Sequence, residues 1–365
     1  MNQKKQYIFQ SILLFAIIFV LAVTAVIKSP TPTSAAERRS LQQFPVVDQE
    51  QIESGRWMST FETYTTDQFP FREGFRSLKA LIETNLFFNQ SNNDVFEADG
   101  HLSQIDYPLS MDSLDHAITV IQSINDRYLD GNSVYLSIVP DKNYYLSQTN
   151  DILAYDYDSL FEYMQSNLGS AEYIDITESL DIDDYYFSDI HWRQEALGET
   201  AALLLEAMGQ TAMPTVELEN HRNDFHGVYV GRYAKPFPSE DLNYLNSSTF
   251  TDLVIFDYEN NKNISIYQTE PTTTLQDPYS FFLHGSLSLI SIDNPNASSD
   301  KELIIFRDSF TSAIAPLLTE AYSRITLVDI RYLASNLLES FIDFDDQDVL
   351  LLYSTSILNS SRQLK

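Results

Sequence analysis

The sequence predicts an α/β fold: a mostly parallel sheet flanked by helices, with a β-rich insertion and an N-terminal transmembrane helix. Three observations carry this reading. Short apolar runs alternate with helical patterns, first over residues 133–208 and again over 303–353. Several of those runs, such as Leu303-Ile304-Ile305-Phe306 and Val349-Leu350-Leu351-Leu352-Tyr353, are apolar at every position, as strands buried on both faces are. Between the two blocks, residues 209–300 are polar and dotted with prolines.

The chain has 365 residues. From Ile8 to Ile27 it is apolar except for Gln10, Ser11 and Thr24, a length sufficient to cross a hydrocarbon core as a helix. Lys4 and Lys5 precede this run, and residues 1–7 are expected to stay in the cytoplasm as a short tail. Thr33-Ser34-Ala35-Ala36 resembles a signal-peptide cleavage site but lies well past the apolar run, so a retained span over 8–27 is expected. Residues 28–45, with Pro30, Pro32 and Pro45, read as an extended stalk. Residues 46–365 then form an extracytoplasmic domain.

Within it, Trp57, Phe61, Tyr64 and Phe69, then Phe75, Leu78, Leu81 and Ile82, recur at helical steps. Pro70 separates the two helices. Residues 95–102 predict a hairpin turning at Asp99-Gly100. A helix over 113–128 leads to a strand over 133–139 that Pro140 ends. A helix over 157–168, a short strand over 173–176 and a helix over 194–208 follow. In 209–300, Leu253-Val254-Ile255-Phe256 is a strand of the insertion. After the strand 303–306 come a helix over 309–322 and strands over 325–329 and 349–353.

The formal charge is −30, which excludes nucleic acid as a partner and opposes sustained docking on an anionic membrane surface. No cysteine is present, so neither disulfides nor a thiolate zinc site enter, as suits a bacterial surface protein. The 22 Tyr, 23 Phe and 2 Trp supply a large core and rings for stacking on sugars. With few glycines and no phosphate loop, no nucleotide cofactor is expected.

Two stretches carry chemistry. Ser188-Asp189-Ile190-His191-Trp192 offers an acid two residues before an imidazole, and Arg307-Asp308-Ser309-Phe310 places a serine just after a buried strand. Serine is a weak nucleophile and needs a base; imidazole titrates near neutrality and can serve. An acid two residues earlier can reach the other ring nitrogen. Ser309, His191 and Asp189 are therefore the candidate nucleophile, base and orienting acid. Each has a plainer reading: Ser309 and Asp189 as helix caps, His191 as a buried structural histidine. Asp183, Asp184, Asp189 and His191 could suggest a metal, but no second histidine lies at helical spacing and no metal is expected. Trp192, Lys142, Arg331 and Tyr332 are candidates for substrate contact. Lys142 and Arg331 are equally readable as members of ion pairs with Asp141 and Asp329.

Taken together, Asp67-Gln68-Phe69-Pro70 with Arg72, Pro140-Asp141-Lys142, Tyr186 with Asp189-Ile190-His191-Trp192, Asp308-Ser309-Phe310 and Val328-Asp329-Ile330-Arg331-Tyr332 resemble the motifs of the DHHW family of exported bacterial proteins. That family is similar to the AlgX/AlgJ-like O-acetyltransferases of exopolysaccharide assembly. The resemblance implies an SGNH hydrolase-like sheet, a Ser309–His191–Asp189 triad, a cell-envelope polysaccharide as substrate and a multi-pass membrane acyltransferase as acetyl donor. The sequence departs from the family pattern at Ile190, where a histidine is usual, at Arg307, where a glycine often stands, and at His284-Gly285-Ser286, where a Gly-Gly-Asn stretch is common. These departures leave open a non-catalytic glycan-binding or assembly factor on the same scaffold.

Overall fold

The computed structural model describes residues 3–269 and 277–365; residues 1 and 2 of the expected tail and 270–276 of the expected insertion lie outside the described residues. The chain divides into two compact units, one built on residues up to Asn92 and one on residues from Asn93 onward.

The larger unit is organised around an eight-stranded sheet. Its strands are β1 (Ser133–Val139), β2 (Glu172–Tyr173), β3 (Val254–Asp257), β4 (Lys262–Ile264), β5 (Leu289–Asp293), β6 (Glu302–Arg307), β7 (Arg324–Val328) and β8 (Asp348–Ser354). Their order is β4-β3-β5-β7-β6-β8-β1-β2. The five strands from β7 to β2 are parallel, and β5, β3 and β4 extend the sheet antiparallel.

Alternation along each strand fills both faces. Leu303, Ile305, Leu350 and Leu352 join one apolar cluster with the helices Gly198–Ala207 and Thr311–Leu318. Ile304, Phe306, Val349 and Leu351 join a second cluster with the helices Met111–Tyr128 and Tyr157–Asn167. The helix Met111–Tyr128 starts where the Ser110 side chain accepts a bond from Ser113 N–H, and it buries Leu114, Ala117, Ile118, Ile121 and Ile124 at helical spacing.

The stretch 209–300 is β-rich, in two parts. A hairpin, Glu217–Phe225 with Glu240–Asn246, stands outside the main sheet. The rest supplies β3, β4 and β5 to the sheet itself. The helix after β6 is shorter than expected, Thr311–Leu318, with Pro316 inside it.

The smaller unit contains the apolar helix Gln3–Ile27, none of whose residues is buried. It is long and apolar enough to cross a membrane. Helices Gln49–Glu53, Arg56–Asp67 and Arg72–Leu81 follow. Phe44 meets Trp57, Phe61 and Tyr64 edge-on. Residues 28–45, expected as an extended stalk, contain the strand pair Thr33–Ser34 and Arg39–Ser40. They are tied down by the Asp67-Gln68 motif. Arg39 binds Asp67 at 2.6 and 2.9 Å, the Gln42 N–H donates to Asp67 at 2.8 Å, and Gln68 bonds both backbone groups of Thr31. The Arg39 guanidinium pulls the Asp67 carboxyl down to about 2.

Candidate active site

Four parallel strands end on one edge of the sheet, where sites of α/β proteins form. β6 leads into Asp308 and Ser309, β1 into Asp141 and Lys142, β7 into Asp329 and Arg331, and β8 into Thr355.

Ser309 occupies the turn after β6 and is partly exposed. Its Oγ lies 2.8 Å from His191 Nε2. His191 Nδ1 lies 2.6 Å from Asp189 Oδ1, and the same oxygen accepts the His191 backbone N–H at 3.1 Å. Asp189 is fully buried and its other oxygen accepts the Val228 N–H at 2.7 Å. A buried carboxylate so bound stays oriented on the ring. The arrangement places a hydroxyl, an imidazole and a carboxylate in sequence, the order that nucleophilic catalysis by serine needs. The capping alternative for Ser309 does not describe this turn: Phe310 holds the cap position without a side-chain bond, and the Ser309 hydroxyl faces the imidazole.

The turn itself is braced by buried polar groups. Asp308 accepts the N–H of Phe310 at 3.0 Å and that of Ser354 at 2.7 Å, which ties the end of β6 to the end of β8. Arg307 is wholly buried; it donates to Ser312 Oγ at 2.7 Å and to the carbonyls of Leu287 at 3.1 Å and Gly285 at 3.4 Å. Arg307 therefore braces the His284-Gly285-Ser286 segment.

Of the residues expected to touch substrate, three are engaged elsewhere. Trp192 is fully buried and its indole N–H donates to the Phe310 carbonyl at 2.9 Å, with the two rings edge to face. It supports the serine turn instead of meeting a ligand. Lys142 is also buried, its ammonium caged by the carbonyls of Leu102, Tyr186, Phe187 and Asp189 at 2.5–3.2 Å. Burial pushes its pKa down to about 7, against the pull of Glu240 and Asp189. Its neighbour Asp141 does not pair with it; that carboxylate caps the following helix at Asn143 and accepts from Tyr155, Tyr157 and Thr355. Arg331 forms a two-pronged pair with Asp329 at 2.6 and 2.8 Å. Tyr332 is exposed, with the Arg331 guanidinium 5.4 Å from its ring centre. Asp183 and Asp184 turn away from His191: Asp184 closes a local cap on Asp181, and Asp183 lies 3.7 Å from His101.

Several residues of the site have no local signal in the sequence. The segment after the strand Glu217–Phe225 clasps the acid-bearing loop. Gly227 N–H donates to Ser188 Oγ at 2.7 Å, and Tyr229 N–H to the Ser188 carbonyl at 3.2 Å. Gly227 sits so close that a Cβ there would fall 2.2 Å from Ser188 O and 2.3 Å from Asp189 N. Glu240 accepts from Phe187 N–H at 2.7 Å and from the backbone and hydroxyl of Ser188 at 2.8 and 2.5 Å. Burial raises the Glu240 pKa, opposed by these bonds. Tyr279 stacks on the face of His191.

Solved structures share this fold. A DHHW family protein from Eubacterium siraeum superposes with a TM-score of 0.59 at 21% identity, over 75% of this chain and 97% of that one. Bacillus cereus PatB1 carrying a sulfonyl adduct gives a TM-score of 0.59 at 18% identity, over 72% and 95% of the two chains. A second structure of Bacillus cereus PatB1 gives a TM-score of 0.55 at 18% identity, over 72% and 96%. No protein-family model and no curated protein sequence matches the chain. The α/β fold expected from the sequence, a mostly parallel sheet flanked by helices, is the fold the chain has and shares with these structures.

Proposed function

We propose that this chain is a membrane-anchored, extracytoplasmic serine O-acetyltransferase or esterase acting on a cell-envelope polysaccharide. The observation that carries the proposal is the line from Ser309 Oγ through His191 to Asp189, with separations of 2.8 and 2.6 Å. As Ser309 Oγ attacks an acetyl carbonyl, His191 Nε2 takes its proton, and Asp189 stabilises the imidazolium through Nδ1. His191 then returns the proton to the leaving group, leaving the acetyl on Ser309. A sugar hydroxyl or water next gives its proton to His191 and attacks the acyl carbonyl, which restores Ser309. The Ser309 amide stands just before the helix Thr311–Leu318, a fitting place for an oxyanion donor.

The choice of glycan and of a multi-pass acyltransferase as acetyl donor rests on the motif resemblance. The helix Gln3–Ile27 is the proposed anchor, with residues 46–365 outside the cytoplasm. The sulfonyl adduct described for PatB1 supports the nucleophile reading, because such adducts form when a reactive nucleophile displaces the leaving group of a sulfonylating reagent.

The test is treatment of the purified full chain with a sulfonyl fluoride, read by intact mass, alongside acetate release from p-nitrophenyl acetate. One stoichiometric adduct in the wild type, absent in Ser309→Ala, together with acetate release that the variant loses, is expected. Equal labelling and equal release in both would overturn the proposal in favour of a non-catalytic glycan-binding or assembly factor.

A further inference from the structure

The segment after Pro70 has its apolar side on the outside. Phe71, Phe75, Leu78, Ile82 and Leu86 recur at helical spacing across the helix Arg72–Leu81 and the turn Ile82–Leu86. All five are exposed, Phe71 at 68%, Leu78 at 50% and Leu86 at 64%, and Phe88 continues the patch at 82%. Ala80, on the opposite side of the helix, is fully buried. A helix in water normally turns its apolar stripe inward, and a contiguous exposed patch marks a contact surface.

Its place in the chain says what the contact is. The apolar helix ends at Ile27. Four residues on, Thr31 is held by Gln68 at 2.8 and 2.9 Å. Glu37 then binds Arg72 at 2.7 Å and Arg76 at 3.4 Å. A four-residue link spans at most ~14 Å. The start of the apolar stripe is thus tethered close to the point where the chain leaves the bilayer, and residues 72–86 run for about 22 Å.

Charge agrees with this placement. Residues 1–92 carry nine Lys and Arg against eight Asp and Glu, whereas residues 93–365 carry a net −31. The acidity that opposes a membrane surface is therefore confined to the larger unit, and Arg72, Arg76 and Lys79 border the stripe.

We infer that the Phe71–Phe88 segment lies on the lipid surface of the membrane that Gln3–Ile27 crosses, with its apolar stripe in the headgroup region. The inference rests on the proposed anchoring but not on the proposed catalysis. The absence of cysteine makes it directly testable. Leu78→Cys and Leu86→Cys, with Asp158→Cys as an exposed control, are labelled with an environment-sensitive fluorophore on the full chain in phosphatidylcholine vesicles. Labels at 78 and 86 should be quenched by brominated lipid and several-fold less by aqueous iodide than the label at 158. Equal iodide quenching at all three sites would overturn the inference. So would labels at 78 and 86 shielded from both quenchers, which would show a protein, a second copy or a membrane partner, on the stripe. The intact mass of the chain from cell membranes reads the anchor separately: a chain beginning beyond Ile27 would overturn the anchoring on which the inference stands.

Discussion

The Tyr279 ring lies flat on the His191 imidazole, with centres 3.7 Å apart and planes 3° from parallel. The tyrosine is buried and its hydroxyl has no hydrogen-bond partner among the described residues. The ring, not the hydroxyl, is therefore the part of Tyr279 that bears on the imidazole. Tyr279→Phe should keep activity and leave stability unchanged or higher by up to about 1 kcal/mol, since an unpaired buried hydroxyl is lost. Tyr279→Leu should lower kcat on the order of tenfold, equivalent to about 1.4 kcal/mol of positioning. Acetyl-ester kinetics and thermal melts of the two variants check this.

Residues that act on one proton should not behave independently. Ser309→Ala and His191→Ala should each remove nearly all acetate release, a loss of about 10⁶ in a fully developed triad, and the double variant should lose little more. Asp189→Asn keeps a base in place but disturbs its tautomer, so a residual rate about 10⁴ below wild type is expected. Additive losses in the double variant would show that Ser309 and His191 do not work as a pair.

What could be read from the sequence divides along physical lines. β6 and β8 were legible because both faces are buried, which leaves unbroken apolar runs. β5 was not: Leu289–Asp293 has only a short apolar run inside a polar, proline-dotted stretch, and its place in the sheet is fixed by antiparallel pairing with β3 and β7. The meeting of Ser309, His191 and Asp189 was legible from two short local patterns. Gly227, Glu240 and Tyr279 reach the same site from distant turns, and nothing local marks them. For Trp192, Lys142 and Arg331 the residue type suggested a ligand, while burial and existing partners assign them to internal bracing. Arg307, a departure from the family pattern in the sequence, donates three hydrogen bonds around the serine turn, to Ser312, Gly285 and Leu287.

The clasp on the acid-bearing loop can be tested without touching the triad. In Gly227→Ala the new methyl would stand 2.2–2.3 Å from the Ser188–Asp189 peptide, so one backbone must move. The Val228 N–H bond to Asp189 would move with it. Overpacking of this kind costs about 1–3 kcal/mol. We expect a lower melting temperature and a fall in kcat with little change in KM, because Asp189 is displaced but no substrate contact is removed. Glu240→Gln should act in the same direction more weakly, since its amide nitrogen would meet backbone N–H donors. A change confined to KM would instead place this segment against the substrate.

Asp106 gives a dependence of stability on pH. Burial raises its pKa to about 6, with a hydrogen bond from Asn359 opposing and the Asp141 charge adding to the rise. The folded state therefore holds this proton more tightly than the unfolded chain, whose value is 3.8. Stability should fall as pH rises from about 4 to 6, and the deficit should persist above that range. Asp106→Asn should raise stability by roughly 1–2 kcal/mol at pH 8, the partial exposure of the group being allowed for, and by almost nothing below pH 4. Denaturant titrations at the two pH values decide it; an equal gain at both would show that ionisation is not the cause.

Lys142 offers the sharpest separation between bracing and substrate contact. Its ammonium is the shared donor to four carbonyls, three of them within the loop that carries Tyr186, Asp189 and His191. Lys142→Met fills the same space but leaves those carbonyls with one donor fewer each. An unsatisfied buried acceptor costs about 1–3 kcal/mol, and partial relaxation of the loop should bring the total to on the order of 3 kcal/mol. Because the Asp189 carbonyl belongs to this cage, kcat should fall together with stability while KM stays near the wild-type value. Lys142→Arg should not rescue either property: a planar guanidinium cannot occupy a cavity built around a tetrahedral ammonium. A variant that kept full stability and lost only substrate affinity would return Lys142 to the substrate pocket and remove it from the structural frame.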